Sequence, residues 1–144
     1  MAGAIRLQLV SLDGVKFDED VYEVLLPTLE GQIGVLPGHM PIISVATRGP
    51  IMVRRRAVDR DDMMEYYATN GGVIEVEDNI LKVLVDEADQ ADEINEQEAQ
   101  KALDLAKKMK AEAKDQVSLD QAQSLIDRHE VRLQVAGLKQ RHRR

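Results

Sequence analysis

The side chains able to do acid–base or metal chemistry are few in this chain and poorly spaced for it. Its three histidines, His39, His129 and His142, lie far apart, and none belongs to an H-E-x-x-H arrangement that would set two imidazoles on one helix face. With no cysteine, a thiolate nucleophile, a disulfide framework and a thiolate metal site are all ruled out. Thr69-Asn70-Gly71-Gly72-Val73 carries glycines but no phosphate-loop lysine at the required spacing, so it reads as a hairpin turn. His129 stands on an apolar helical stripe and reads as a packing histidine with its hydrogen bonds satisfied. The carboxylates fall in acidic turns, where a solvated role is expected. Met63 and Met64 read as core residues that fill gaps. No catalytic residue, metal ligand or cofactor site is expected, and the protein reads as a binding protein.

Charge is unevenly placed. The net charge is −7, which argues against bulk nucleic-acid binding. Residues 86–98, DEADQADEINEQE, hold seven acidic side chains and no basic one, while residues 128–144 hold six Lys or Arg and one Glu. The acidic run reads as a solvated linker and helix start, and a solvated tail is one of two readings of the basic end. Arg54 and Arg56 share one strand face with Arg55 opposite, a pattern that suits a charge-protected sheet edge. No run of 18 apolar residues occurs, so no segment is expected to span a membrane. The start, MAGAIRLQLVS, lacks the basic opening and apolar run of a signal peptide.

One stretch resists a bland reading. GQIGVLPGHMP, residues 31–41, packs three glycines, two prolines and His39 among the apolar Ile33, Val35, Leu36 and Met40. A surface turn is usually more polar, and a strand does not carry two prolines. The residues suit a tightly bent loop braced by packed Ile33, Val35 and Leu36, with His39 at its tip.

The elements that hold these residues fall into two halves. Up to about residue 85, short alternating segments follow one another: IRLQLVS, VYEVLLPT, PIISVAT, IMVRRR, MEYYATN, VIEVED and ILKVLVD. Turn signals separate them, among them Asp13-Gly14, Gly49-Pro50, Asn70-Gly71-Gly72 and Asp78-Asn79. Strands at this spacing suggest an all-β sandwich or barrel, and an antiparallel β-sandwich over residues 1–86 is the expectation. From Asp92 the period becomes helical. Asn95 with Glu98 predicts a capped helix through about Lys114, its stripe Ala99, Ala102, Leu103, Ala106, Met109 and Ala113. Ser118 with Gln121 predicts the cap of a second helix, its stripe Ala122, Leu125, Ile126, His129, Leu133 and Ala136, weakened at Gly137. The short connection makes residues 87–144 an antiparallel two-helix hairpin, and the chain an α+β protein of two domains. Alanine favours helix but contributes little on burial, so the hairpin suits a movable arm. A permanently packed cap fits the same composition.

Residues 28–44, TLEGQIGVLPGHMPIIS, resemble the signature of the epsilon subunit of rotary ATP synthases: Glu-Gly, then Gly, two apolar residues and Pro-Gly-His, then an apolar-proline segment. RLQLVSLDGVKFDEDV resembles the first two strands of that family and YYATNGGVIEVEDNILKVLVDEA its last sandwich strands, and a hairpin of this length completes the match. The resemblance implies a non-catalytic central-stalk protein that takes part in proton-driven ATP synthesis, peripheral on the cytoplasmic face of a bacterial plasma membrane. Its sandwich would bind the gamma subunit and rest on the membrane rotor ring of c subunits, through the loop matched by Glu30, Gly31 and His39. Its hairpin would reach the alpha and beta subunits of the catalytic head and restrain ATP hydrolysis, with Arg128, Arg132, Lys139, Arg141, Arg143 and Arg144 as the cationic arm.

The chain departs from the family at one place. Some members bind ATP on the hairpin through an Ile/Leu-Asp-x-x-Arg-Ala motif. The matching residues are Ile94, Asn95, Glu98 and Ala99, with Asn95 where the motif has Asp and Glu98 where it has Arg, so no nucleotide cofactor is expected. The competing reading of the whole chain is a stand-alone adaptor, a β-sandwich with a helical interaction arm.

Overall fold

The computed structural model describes the backbone of residues 3–143 and side chains through Lys139. Eight strands form one sheet: β1 (Ile5–Ser11), β2 (Gly14–Val21), β3 (Glu23–Thr28), β4 (Gly31–Val35), β5 (Ile42–Arg54), β6 (Glu65–Glu77), β7 (Ile80–Val85) and the short β8 (Asp89–Gln90). Two helices follow, α1 (Glu96–Glu112) and α2 (Gln116–Arg143). The strand order is β2-β1-β7-β6-β5-β3-β4, with β8 added to β6. Pairing is antiparallel except for β1 with β7, which run parallel. The sheet folds over one core lined from β1 to β7, with Ile5, Leu7, Leu9, Val24, Leu26, Ile51, Val53, Ile74, Leu81 and Val83 all fully buried. The expected sandwich followed by a two-helix hairpin is what the chain forms.

The strand count is where the structure departs from expectation. PIISVAT and IMVRRR are one 13-residue strand, β5, and MEYYATN and VIEVED are another, β6. They pair from Ile42↔Val76 to Val53↔Glu65 in one unshifted register that runs through Gly49-Pro50 and Gly71-Gly72, skipping only Arg48 opposite Asn70. Neither glycine cluster is a turn. Instead, the ribbon exchanges its faces there. Before the exchange Tyr66 and Ala68 face the helices and Tyr67 faces the core; after it Ile74 and Val76 face the core. A strand alternates with a period of two, so two registers out of phase need a local break in the pleat. Gly49 at φ +154° and Gly71 at φ +134° supply it. Gly72 has a different task. A Cβ there would lie 2.0 Å from the Leu84 carbonyl oxygen on β7.

Because β5 lies between β3 and β6, the arginines at its end do not guard an edge. Arg54 is largely buried and pairs with Glu23 at 3.1 Å and Asp61 at 2.6 Å. Arg55 reaches Glu65 and Glu19 and lies over the Phe17 ring. Asp59 is not a solvated turn carboxylate: it is buried and accepts from the Arg56 amide. Of the two methionines read as core, Met64 is buried and Met63 is exposed.

The hairpin lies against the sheet. Asn95 caps α1 as expected, its side chain accepting from the Glu98 amide at 3.1 Å. The cap of α2 is Asp115, which accepts from the Ser118 amide at 2.7 Å; Ser118 lies inside the helix. On the α1 stripe Ala99, Leu103 and Ala106 are buried, but Met109 is exposed. The second helix has two apolar faces. Ile126, with Leu125 and Leu133, meets Leu103 and Ala106 of α1. Val131, Val135 and Ala136 meet Met64, Tyr66 and Ala68 of β6. A single-stripe reading missed the second face, and α2 continues past Gly137 to Arg143.

Gly72→Ala is expected to cost about 3 kcal/mol, because the clash is with backbone that cannot move without parting β6 from β7. Gly137→Ala, where a Cβ meets nothing within 4 Å, is expected to stabilise the chain by about 0.5–1 kcal/mol. Denaturant midpoints of the two variants should move in opposite directions.

Candidate functional site

Glu30, Gly31 and His39 do not sit on one loop. Leu29-Glu30 is the two-residue turn joining β3 to β4, closed by the pair Thr28↔Gly31. Thr28 Oγ1 accepts from the Glu30 amide and donates to the Gly31 carbonyl at 2.5 Å, and Gly31 takes φ +113°. His39 lies beyond the other end of β4, which over five residues spans roughly 13 Å. Both turns flank an outer strand of the sheet, so the residues are strung along one exposed edge. Within the bent stretch Val35 is buried and Ile33 packs against the core. Leu36, expected to pack, is 41% exposed because the chain has already turned away from the sheet.

The His39 turn is held from outside. Leu36-Pro37-Gly38-His39 forms a type II turn, with Pro37 second, Gly38 third at φ +79°, and the His39 amide donating to the Leu36 carbonyl at 3.1 Å. His39 Nδ1 lies 2.7 Å from the Met40 carbonyl, which can only accept, so Nδ1 carries the hydrogen. Asn79, at φ +61° in the turn between β6 and β7, accepts from the Gly38 amide at 2.8 Å and donates to the Ala4 carbonyl at 2.9 Å. Asn79 therefore fixes where His39 stands. In the sequence it signals only a turn, since its partner is 41 residues away.

A second surface was not read from the sequence. Val45 pairs with Val73, Val73 with Leu84, Leu84 with Val10, and Val10 with Val15. Residues in register share a face, so the five make one row across β5, β6, β7, β1 and β2, about 19 Å long. The row is open: Val45 is 52% exposed, Val73 46%, Leu84 53% and Val15 66%. Ile43, two residues from Val45 and 80% exposed, extends it toward an apolar groove at Pro41 and Val76. Contiguous apolar surface of this kind marks a protein contact. Each valine alone looks like one half of an ordinary alternation.

The acidic run and the basic end are not separately solvated. Arg128 pairs with Glu87 at 2.9 Å, Arg132 with Asp89, and Lys139 with Asp92 at 3.6 Å. Arg48 of β5 adds a pair with Asp127. Arg141, Arg143 and Arg144 of the expected cationic arm have side chains outside the described residues. His129 is not the satisfied packing residue expected, because its Nδ1 is buried with no hydrogen-bond partner. Burial first, and then Arg128 and Arg132, hold its pKa below 6.5. Burial pushes the Glu87 carboxyl up from 4.5, and Arg128 opposes that shift.

Of the altered nucleotide motif, Ile94 and Asn95 border a cavity of about 420 Å³ that Asp92, Glu96, Gln97 and Lys139 also line; Glu98 and Ala99 do not line it. Asn95 is occupied as the helix cap, Ala99 is buried, and Glu96 Oε1 is buried without a hydrogen-bond partner. Among the described residues the one cation lining it, Lys139, already faces Asp92. Its polar lining suits an anion poorly.

The lowered pKa of His129 sets a pH dependence. A histidine held neutral contributes stability that is present above 6.5 and lost as the pH falls through that value toward the lowered one. The raised Glu87 carboxyl has the opposite sign and acts in the carboxylate range, from 4.5 upward. Denaturant unfolding should show the chain less stable at pH 6 than at pH 8, and His129→Gln should remove most of that difference.

The β-sandwich domain model of the ATP synthase delta/epsilon chain matches residues 4–91. The ATP synthase epsilon chain of Herpetosiphon aurantiacus is 34% identical over 135 residues, covering 94% of this chain and 96% of that one. That of Rippkaea orientalis is 34% identical over 140 residues, covering 93% and 97%. In structure, a chain of the Euglena gracilis mitochondrial ATP synthase superposes with a TM-score of 0.78 at 24% identity, covering 96% of this chain and 83% of that one. A chain from the Tetrahymena thermophila mitochondrial ATP synthase, described as central stalk and c-ring, gives 0.57 at 13% identity, covering 91% and 95%. These two likenesses speak for the fold, and the sequence matches for the family: the chain belongs to the epsilon chains of the ATP synthase.

Proposed function

We propose that the protein is a non-catalytic central-stalk subunit that joins gamma to the rotor ring and restrains ATP hydrolysis through its hairpin. The observation that carries the reading is the open apolar row Val45-Val73-Leu84-Val10-Val15, a surface suited to a lasting protein contact and placed away from the hairpin. Gamma is the partner assigned to it. The ring contact falls to the β4 edge, with Glu30 and Gly31 at one end and His39 at the other. Both turns are stiffened by hydrogen bonds, and a stiff contact can pass torque without being reordered at each step. Residues 1–86 then form the binding body and residues 87–144 the arm. The position is peripheral, on the cytoplasmic face of a bacterial membrane; no described helix is long and apolar enough to cross one.

Val73→Glu puts a charge in the middle of the row at an exposed site, where folding should be little affected. The variant should stay folded and lose most of its co-purification with gamma. Retained binding would move the gamma contact elsewhere. Deleting residues 128–144 should raise the ATPase activity of the assembled core, whereas unchanged activity with the chain still bound would remove the inhibitory role.

ATP binding by the isolated chain is expected to be weak or absent. Glu98 stands where the family has arginine, and exchanging a cation for an anion beside phosphate reverses a Coulomb interaction of about 1 kcal/mol at 4 Å in water, more where shielded. Calorimetric titration should give no dissociation constant in the low micromolar range.

A further inference from the structure

We propose that the linker and the second helix form a charge latch, in which Glu87, Asp89 and Asp92 hold Arg128, Arg132 and Lys139 against the body of the protein, so that ionic strength sets how much of the arm is docked. The inference rests on the reading of the hairpin as a separable arm. Three cations along one side of α2, one turn and then two turns apart, meet three carboxylates on one stretch of linker in the same order, 128 with 87, 132 with 89 and 139 with 92. The linker is tied to the sandwich in turn. Asn70 donates to Glu87 at 2.8 Å and to Asp86 through its amide, and β8 pairs Asp89 with Ala68 of β6. Docking α2 therefore means docking it onto carboxylates that the sandwich has already positioned. Arg48 with Asp127 closes the row from β5.

The apolar part of the same contact joins buried Met64, Tyr66 and Ile94 to Val131 and Val135, with alanines between them and Leu133 and Leu138 packed at its side. The polar part is incompletely satisfied. Arg128 Nε is within ion-pair distance of Glu87 but not aligned as a hydrogen bond, and Arg132 Nε and His129 Nδ1 are buried without a partner. Side chains left so gain from moving back to water or to another anionic surface, which makes the docked state easy to exchange. The cations that hold the arm down are also the described members of the proposed inhibitory set. While latched, they are unavailable to the catalytic head.

The chain has no cysteine, so a donor and an acceptor dye can be placed without other changes. Cysteines at Lys16 in β2 and Val117 at the hairpin tip are both on exposed positions. Energy transfer in the full chain should change as salt rises from about 0.05 M to about 1 M, where the Debye length is about 3 Å. The combined Glu87→Gln, Asp89→Asn and Asp92→Asn variant should show the high-salt value at low salt, with the docked-to-free ratio lowered about ten-fold, as three partly exposed pairs would give. Val135→Asp opens the apolar contact by an independent route. If Val135→Asp shifts the transfer while salt and the triple variant do not, the arm moves without a latch and the proposal falls alone. If Val135→Asp instead abolishes the cooperative unfolding of the sandwich, the hairpin belongs to one shared core, and both the latch and the separable arm are wrong.

Discussion

The long ribbon of β5 and β6 is the constraint on which the other contacts depend. It pairs in one register at 11 positions of each strand and lies at the centre of the strand order, with three strands on one side of it and two on the other. Its first half in β6 gives one face to the core and one to the helices; its second half gives one face to the core and one to solvent. Without the exchange at Gly49 and Gly71, either Tyr66 and Ala68 would turn from the helices or Ile74 and Val76 from the core. The same exchange exposes Val45 and Val73 on the outer face. A backbone detail at two glycines thus provides both the hairpin's seat and the apolar row.

The helical hairpin is attached through α2. One face of that helix closes on α1, another on β6, and its cations meet the linker. The apolar and ionic contacts differ in how they respond to conditions. Buried valines hold at any salt, whereas partly exposed ion pairs weaken as salt rises. In the proposed latch the ionic contacts are the part of the attachment that conditions can tune. That balance fits a subunit whose proposed role needs the arm in more than one place.

The proposed ring contact follows a different logic. β4 is an outer strand, and the turns at its two ends are fixed separately, one by Thr28 within the hairpin and the other by Asn79 from across the sheet. Ala4 at the start of β1 shares the Asn79 side chain. A load on the His39 turn would pass through Asn79 to the β6–β7 turn and to the start of β1, both firmly paired elements.

Much of this was written in the sequence. Alternation gave the strands, the change to helical period gave the hairpin, and Asn95 gave the start of α1, because each depends on residues within a few positions of one another. The Gly-Val-Leu-Pro-Gly-His stretch and its flanks carried the family. Tertiary structure decided the rest. Gly71 and Gly72 have the composition of a turn, and only the pairing partners Thr47 and Val85 show that the chain runs straight through. Asn79 became a support for His39, and the acidic linker a partner for α2, across separations of 41 residues and more than 40. The row from Val45 to Val15 exists only in register, since no two of its members are neighbours in the chain. Local order follows from propensity and period along the chain; shared faces and paired charges follow from which distant segments the fold brings side by side.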